Sequence, residues 1–137
     1  MWHPSKAFPL VLIAAAALGP YGSQLNAQDQ PIKRTDLLKV DLSELKGSEM
    51  NVWIADIAPG AETGRHSHPT PRFVYVLEGA VVLEFDGKVP KTFKAGDAFA
   101  ETANSIHNFR NASTTEPAKA LGFQYAEKGH PLQVNAR

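Results

Sequence analysis

The sequence predicts an all-β protein that folds as a single antiparallel β-barrel. Short runs of β-branched and aromatic residues recur along the chain, and turn signals separate them about every eight to twelve residues. No long helical pattern is found between residues 28 and 137. The chain has 137 residues, which corresponds to one domain because domains usually contain about 100–200 residues.

The first 27 residues are predicted to be a secretory signal peptide. Lys6 precedes an apolar run at residues 8–18, a Gly-Pro break follows, and small or polar residues lead to Ala27. This run is too short for a stable membrane anchor, because a spanning helix needs about 20 apolar residues. We therefore expect an exported protein, periplasmic or secreted, with a flexible lead-in at residues 28–34.

The first two strands of the barrel are expected in the N-terminal part of the mature chain. Residues 35–45 alternate apolar and polar side chains as on a half-buried strand, although three leucines in this stretch also suit one face of a helix. A strand is favoured, followed by a turn around Gly47. Residues 51–58 are rich in β-branched and aromatic side chains and end at a Pro-Gly turn signal, which predicts the second strand.

The remaining strands are shorter and are bounded by glycine, asparagine and aspartate. The barrel domain is predicted to cover residues 35–126, and a C-terminal tail follows at residues 127–137. The further strands are expected at residues 73–77, 81–85, 89–94, 98–101, 107–110 and 118–125. Aromatic side chains bury large apolar areas, so we expect the core to include Trp53, Phe85, Phe99, Phe123 and Tyr125.

Two histidines separated by one residue, His66 and His68, stand just ahead of the strand at residues 73–77. Side chains two apart on an extended segment point to the same face, so the two imidazoles can share one metal ion. A third histidine, His107, lies in a second extended segment that can fold back beside the first. Three imidazoles can hold a divalent metal and leave further positions open. Iron, manganese, zinc, nickel and copper are not distinguished by this pattern.

The spacing of these residues resembles the first motif of the cupin superfamily. That motif runs Gly, five residues, His-x-His, three or four residues, Glu, six residues, Gly. Gly60, His66, His68 and Gly79 fall on it in register. Arg72 occupies the position of the glutamate ligand, and a guanidinium has no lone pair with which to replace a carboxylate.

A second stretch resembles the other cupin motif, which runs Gly, five residues, Pro-x-Gly, two residues, His, three residues, Asn. Gly96, His107 and Asn111 match this pattern, while Thr102 and Asn104 replace the proline and the glycine. The resemblance covers about residues 52–125. Two separately spaced motifs in the right order make it specific.

The resemblance implies a small single-domain cupin of the type-2, quercetin-dioxygenase-like kind, with a double-stranded β-helix or jelly-roll barrel and a homodimeric assembly. It also implies that His66, His68 and His107 are the metal ligands. Cupin folds host dioxygenases, isomerases, decarboxylases and binding domains, so the fold alone does not select an activity. We expect a metal-dependent oxygenase that acts on a small chelating or anionic molecule, or a non-catalytic module that binds or senses a small ligand. No catalytic residue is assigned.

Strand parity makes Arg72 a candidate substrate-binding residue. If His66 and His68 point inward, an extended continuation sends Arg72 to the same face. There it can clamp an anionic group of the substrate beside the metal. Alternatively, its side chain turns to solvent or pairs with Glu78 or Glu101.

Phe109 is the second candidate for the substrate pocket, because it shares the face of His107 and can form a pocket wall. Glu62 and Glu101 are the acidic residues near the motifs that can accept a proton. Neither stands at the position of a ligand in the family pattern.

Charge and cysteine content exclude other classes. The chain carries 14 basic and 14 acidic residues, whereas nucleic-acid-binding proteins usually carry a basic face. It contains no cysteine, so the fold is held by its core without disulfides, and any metal site must use nitrogen and oxygen ligands.

Overall fold

The computed structural model describes residues 32–137, so the predicted signal peptide and residues 28–31 of the lead-in lie outside the described residues. This range contains ten β-strands and no helix. The strands are β1 (Ile32–Asp41), β2 (Ser48–Ile57), β3 (His66–Ser67), β4 (Arg72–Glu78), β5 (Ala80–Phe85), β6 (Lys91–Lys94), β7 (Ala98–Glu101), β8 (His107–Asn111), β9 (Ala118–Glu127) and β10 (Val134–Asn135). Residues 32–137 contain no helix with the length and apolar composition needed to cross a membrane.

The strands form two five-stranded sheets in which every pairing is antiparallel. The first sheet has the order β1-β2-β9-β4-β7, and the second has the order β10-β3-β8-β5-β6. Buried side chains from both sheets pack into one core that includes Ile57, Val76 and Val81. The predicted all-β antiparallel fold of jelly-roll type is confirmed, as two facing sheets that are not joined into one closed hydrogen-bonded barrel.

Residues 35–41 belong to a strand and not to a helix. β1 begins at Ile32, earlier than expected, and pairs with β2 along its length, with an irregularity between Asp36 and Leu38. The alternation seen in the sequence of β2 appears in its burial, because every second residue from Glu49 to Ile57 is buried. This alternation places Trp53 between the two sheets.

The turn at Gly79 carries the chain from one sheet to the other. β4 pairs within the first sheet and β5 within the second, so the two strands do not form a hairpin. Gly79 has a φ of 70°, and a Cβ atom there would lie 2.7 Å from the carbonyl oxygen of Pro117. Glycine is therefore required at this crossing.

The outer face of the first sheet is apolar, which contradicts part of the predicted core. Phe123 is only partly buried and Tyr125 is 36% exposed, because β9 directs small residues such as Ala120 and Gly122 inward and large residues outward. Phe73 and Phe123 stack on this face with their ring centroids 5.9 Å apart. Trp53 is buried and Phe99 packs against the core, as expected.

The C-terminal tail is part of the fold. β10 pairs with β3 in the second sheet, and Ala136 N donates to the carbonyl oxygen of Arg65. The tail thereby reaches the segment that carries the first two predicted metal ligands.

Candidate metal centre

Two short elements bring the three predicted histidine ligands into one cluster. His66 in β3 and His107 in β8 are direct register partners, and His68 follows β3 after Ser67. The ring centroids lie 4.4, 4.8 and 5.0 Å apart. All three side chains are fully buried.

Hydrogen bonds determine which nitrogen of each ring faces the cluster. A carbonyl oxygen can only accept, so a ring nitrogen beside it carries the proton, and the neutral ring then presents the lone pair of its other nitrogen. In all three rings Nδ1 lies beside a backbone carbonyl oxygen: His66 beside Gly64 at 2.8 Å, His68 beside Leu132 at 2.8 Å, and His107 beside Ser105 at 2.9 Å. The Nε2 atoms therefore face the cluster, and such backbone partners are typical of histidine ligands in metal sites.

A fourth side chain, Glu101 at the end of β7, completes the cluster. Its Oε2 lies 2.9 Å from Nε2 of His68 and 3.6 Å from Nε2 of His107. The ligand atoms of the four residues all lie within 4.8 Å of one another. Nε2 of His66 and of His107 is buried without a hydrogen-bond partner among residues 32–137. Buried lone pairs that face a carboxylate need a cation between them, so this donor set fits a divalent metal ion.

Glu101 adds to the ligand set expected from the sequence, in which it is only a candidate proton acceptor. The family pattern places the carboxylate at position 72 on β4. Arg72 stands there, and Glu101 is its direct register partner on β7. The carboxylate thus enters the cluster from the neighbouring strand. In the sequence, Glu101 stands six residues before His107, at a position that the family pattern does not assign to a ligand. Its membership in the cluster could have been predicted only from the pairing of residues 72–75 with residues 98–101.

The cluster shifts the pKa values of its members. Burial opposes ionisation of Glu101, but His107, His68 and the charge of Arg72 outweigh it and hold the pKa of Glu101 well below its usual range. Burial lowers the pKa of His66 to about 4, so this ring is neutral at pH 7. Burial also acts to lower the pKa of His107, but Glu101 outweighs it and raises that pKa. A proton and a metal ion therefore compete for the same lone pair of His107.

A cavity of about 390 Å³ adjoins the cluster, and Glu101 lies on its wall. Arg72 lies on the same wall, and only 13% of its side chain is exposed. Its Nε donates to Oε1 of Gln124 at 3.1 Å and lies 3.7 Å from Oε2 of Glu101. Burial lowers the pKa of Arg72 to about 10, which leaves the guanidinium charged at pH 7. The cavity wall therefore carries a charged guanidinium beside the carboxylate of the cluster.

The other predicted site residues are found at and around this cavity. Phe109 contributes to its apolar wall and Glu62 also lines it, with its carboxylate accepting a hydrogen bond from Asn108 at 2.9 Å. The roles of Arg72 and Phe109 in binding a ligand stay predictions. Two further wall residues, Arg34 and Trp53, were not predicted from the sequence as site residues.

A family model described as a cupin domain matches residues 53–123, which is more than half of the chain. The chain belongs to the cupin family. The matched region contains both histidine motifs and Glu101, whereas β1 and the C-terminal tail of this cupin lie outside it. No curated protein matches the chain.

Solved structures show the same fold at low sequence identity. A cupin-like protein from Thermotoga maritima is 23% identical, with a TM-score of 0.58 over 72% of this chain and 76% of its own. A cupin superfamily protein from Desulfitobacterium hafniense is 17% identical, with a TM-score of 0.58 over 77% and 86%. A DMSP lyase from Ruegeria pomeroyi is 19% identical, with a TM-score of 0.61 over 83% of this chain and 56% of the lyase. At these identities the likeness concerns the fold alone.

Proposed function

We propose that this cupin is a metal-dependent enzyme, an oxygenase that converts a small chelating or anionic molecule. The observation that supports this proposal best is the convergence of His66, His68, His107 and Glu101 in a buried cluster in which two Nε2 lone pairs have no partner among the described residues. The cluster borders a cavity of a size suited to a small ligand.

A divalent metal ion at this position would supply Lewis-acid and redox chemistry. The residues of the chain have distinct parts. The three imidazoles and Glu101 hold the ion, and Arg72 faces an anionic group of the ligand. The apolar wall, which includes Phe109 and Val74, keeps water away from the reacting atoms.

The test is oxygen consumption by the iron-loaded protein with a panel of diketones, flavonols, thiols and carboxylic acids. Oxygen uptake coupled to product formation supports the oxygenase. Saturable binding without turnover would instead favour a non-catalytic ligand-binding module, and turnover without oxygen uptake would favour a lyase or an isomerase. A variant with alanine at His66, His68 and His107 is the control and should hold no stoichiometric metal.

The proposal includes a homodimer formed through the outer face of the first sheet. Register places apolar side chains of five neighbouring strands side by side on this face, and such a continuous apolar surface is rare on a monomer. The most exposed large ones are Leu38 at 50%, Val40 at 44%, Phe73 at 42% and Tyr75 at 40%. Light scattering should show a dimer for the parent and a monomer for Tyr75→Glu. A monomeric parent at micromolar concentration would contradict this assembly.

A further inference from the structure

Two arginines lie against the same tryptophan ring on the cavity wall. The guanidinium carbon of Arg34 lies 4.0 Å from the ring centroid of Trp53, and that of Arg72 lies 5.0 Å from it. Both arginines and the tryptophan line the cavity next to Glu101. Arg34 belongs to β1, outside both histidine motifs and outside the matched cupin domain.

Each guanidinium is anchored through Nε. Arg34 Nε donates to Oδ1 of Asp36 at 2.6 Å, and Arg72 Nε donates to Oε1 of Gln124 at 3.1 Å. Among residues 32–137, the terminal Nη atoms of these two arginines donate no hydrogen bond to another residue. A guanidinium held in this way presents its remaining N–H groups in the planar fork that suits a carboxylate.

Two carboxylates, Glu62 and Glu101, line the cavity together with the two arginines, and neither is reserved for the arginine pair. Glu62 accepts a hydrogen bond from Asn108 and forms no ion pair with either arginine within residues 32–137. Glu101 lies 3.7 Å from Arg72, but its carboxylate also faces the histidine cluster, where a metal ion would add positive charge. Asp36 pairs with Arg34 but its side chain is 69% exposed, so solvent weakens this interaction. Arg34 and Arg72 lie near the same ring of Trp53 and next to the metal position, and like charges this close repel each other. An anion bound between the two guanidinium groups would reduce this repulsion.

The wall that carries the two arginines depends on a glycine. A Cβ atom at Gly122 would lie 2.5 Å from Cε2 and Cζ2 of Trp53, so the indole ring occupies the space that any larger residue would fill. Gly122 on β9 is in register with Trp53 on β2. The ring of Trp53 therefore lies against the backbone of Gly122, and both guanidinium groups lie near the same ring.

We propose that Arg34 and Arg72 together bind one carboxylate of a small dicarboxylate, whose second carboxylate reaches the metal position beside Glu101. This inference rests on the proposed metal-dependent function and narrows its substrate class. Arg72 adjoins both Arg34 and Glu101, so a short ligand can contact the arginine pair and the cluster at the same time. The cavity of about 390 Å³ accommodates a molecule of this size.

The experiment is calorimetric titration of glutarate into the full mature chain loaded with zinc, compared with butyrate, which has one carboxylate. We expect glutarate to bind at least about tenfold more tightly than butyrate. Arg34→Gln and Arg72→Gln should each weaken glutarate binding by at least about tenfold, because each removes a charged hydrogen-bonding partner. Lys33→Gln removes the same charge from the neighbouring position of β1, outside this cavity, and should change the affinity less than about twofold.

The outcomes separate this inference from the proposed function. If the protein binds zinc stoichiometrically but glutarate no better than butyrate, the dicarboxylate site is wrong and the metal site stands. If Arg34→Gln binds glutarate as the parent does, Arg34 is not part of the site. Arg34 is partly exposed, so this variant should fold even if Arg72→Gln does not, and circular dichroism checks this. Failure to bind zinc or any other divalent metal would overturn the proposed function itself.

Discussion

Exchanging Arg72 and Glu101 tests whether the site needs the carboxylate in the cluster or on a particular strand. The two residues are direct register partners on β4 and β7, so their Cβ atoms start close together on one face of the sheet. We expect Glu101→Gln to weaken metal binding strongly. The double variant Arg72→Glu/Glu101→Arg should recover most of the loss, because it places a carboxylate at the family position and keeps one cation beside it.

The magnitude follows from the position of the Glu101 carboxylate. Only 2% of this residue is exposed, and its Oε2 lies 2.9 Å from Nε2 of His68. Removing a residue that merely orients a ligand costs about 10–100-fold in metal affinity. Removing a direct ligand should lower the metal affinity by at least the upper value, about 100-fold or ~2.8 kcal/mol. The exchanged variant should return to within about tenfold of the parent.

The assay is competition for zinc with a chromophoric chelator at pH 7.5. Glu62→Gln is the matched control, because Glu62 lines the same cavity but does not belong to the cluster, and its affinity should stay within about threefold of the parent. Parental affinity in Glu101→Gln would show that Glu101 is not a ligand. If the exchanged variant binds zinc no more tightly than Glu101→Gln, a carboxylate at position 72 does not replace one at position 101.

Three further predictions concern the pH dependence, the cavity wall and the C-terminal tail. Because the pKa of His107 is raised, a metal ion must displace a proton from this ring. Zinc affinity should therefore rise with pH, by up to about tenfold per pH unit, until the pH exceeds the pKa of His107. Calorimetry in two buffers measures the proton release. Gly122→Ala forces Trp53 to move, which should cost about 1–3 kcal/mol and lower the melting temperature by at least about 4 °C in thermal denaturation. Truncation after His130 removes the carbonyl oxygen of Leu132 that accepts from Nδ1 of His68, and should weaken zinc binding about 10–100-fold in the same chelator assay.

Each of these predictions has a control or a contrary outcome. In the pH series, His66 should not contribute to the pH dependence of zinc affinity above about pH 5, because its pKa is lowered to about 4. A zinc affinity that stays constant across pH 5–8 would contradict the role of His107. Trp53→Phe in the Gly122→Ala background removes part of the clashing ring and should restore some of the lost stability. Leu132→Ala keeps the backbone carbonyl and should bind zinc as the parent does, unlike the truncated chain.

The sequence by itself was sufficient for the all-β class and for the convergence of three histidines. The all-β class and the shared face of His66 and His68 follow from short-range alternation, whereas the place of His107 beside them was inferred from the spacing of two motifs that resembles the cupin family. The same alternation identified β9 as a strand, but it could not decide which of its two faces lies inside. The structure turns Phe123 and Tyr125 outward, because the interior beside Gly122 is filled by the ring of Trp53 and by the cavity.

Only the tertiary structure decided the remaining parts of the site. Glu101 joins the cluster because β7 pairs with β4, Leu132 orients His68 because the tail returns along β3, and Arg34 reaches the cavity because β1 pairs with β2. These contacts join residues that are far apart in the chain, and local periodicity carries no information about which distant strands pair or in which register. Hydrogen bonding between strands and burial of the shared core select those pairings. The pairings in turn place a carboxylate, a carbonyl oxygen and a second guanidinium around the three histidines that the sequence had already indicated.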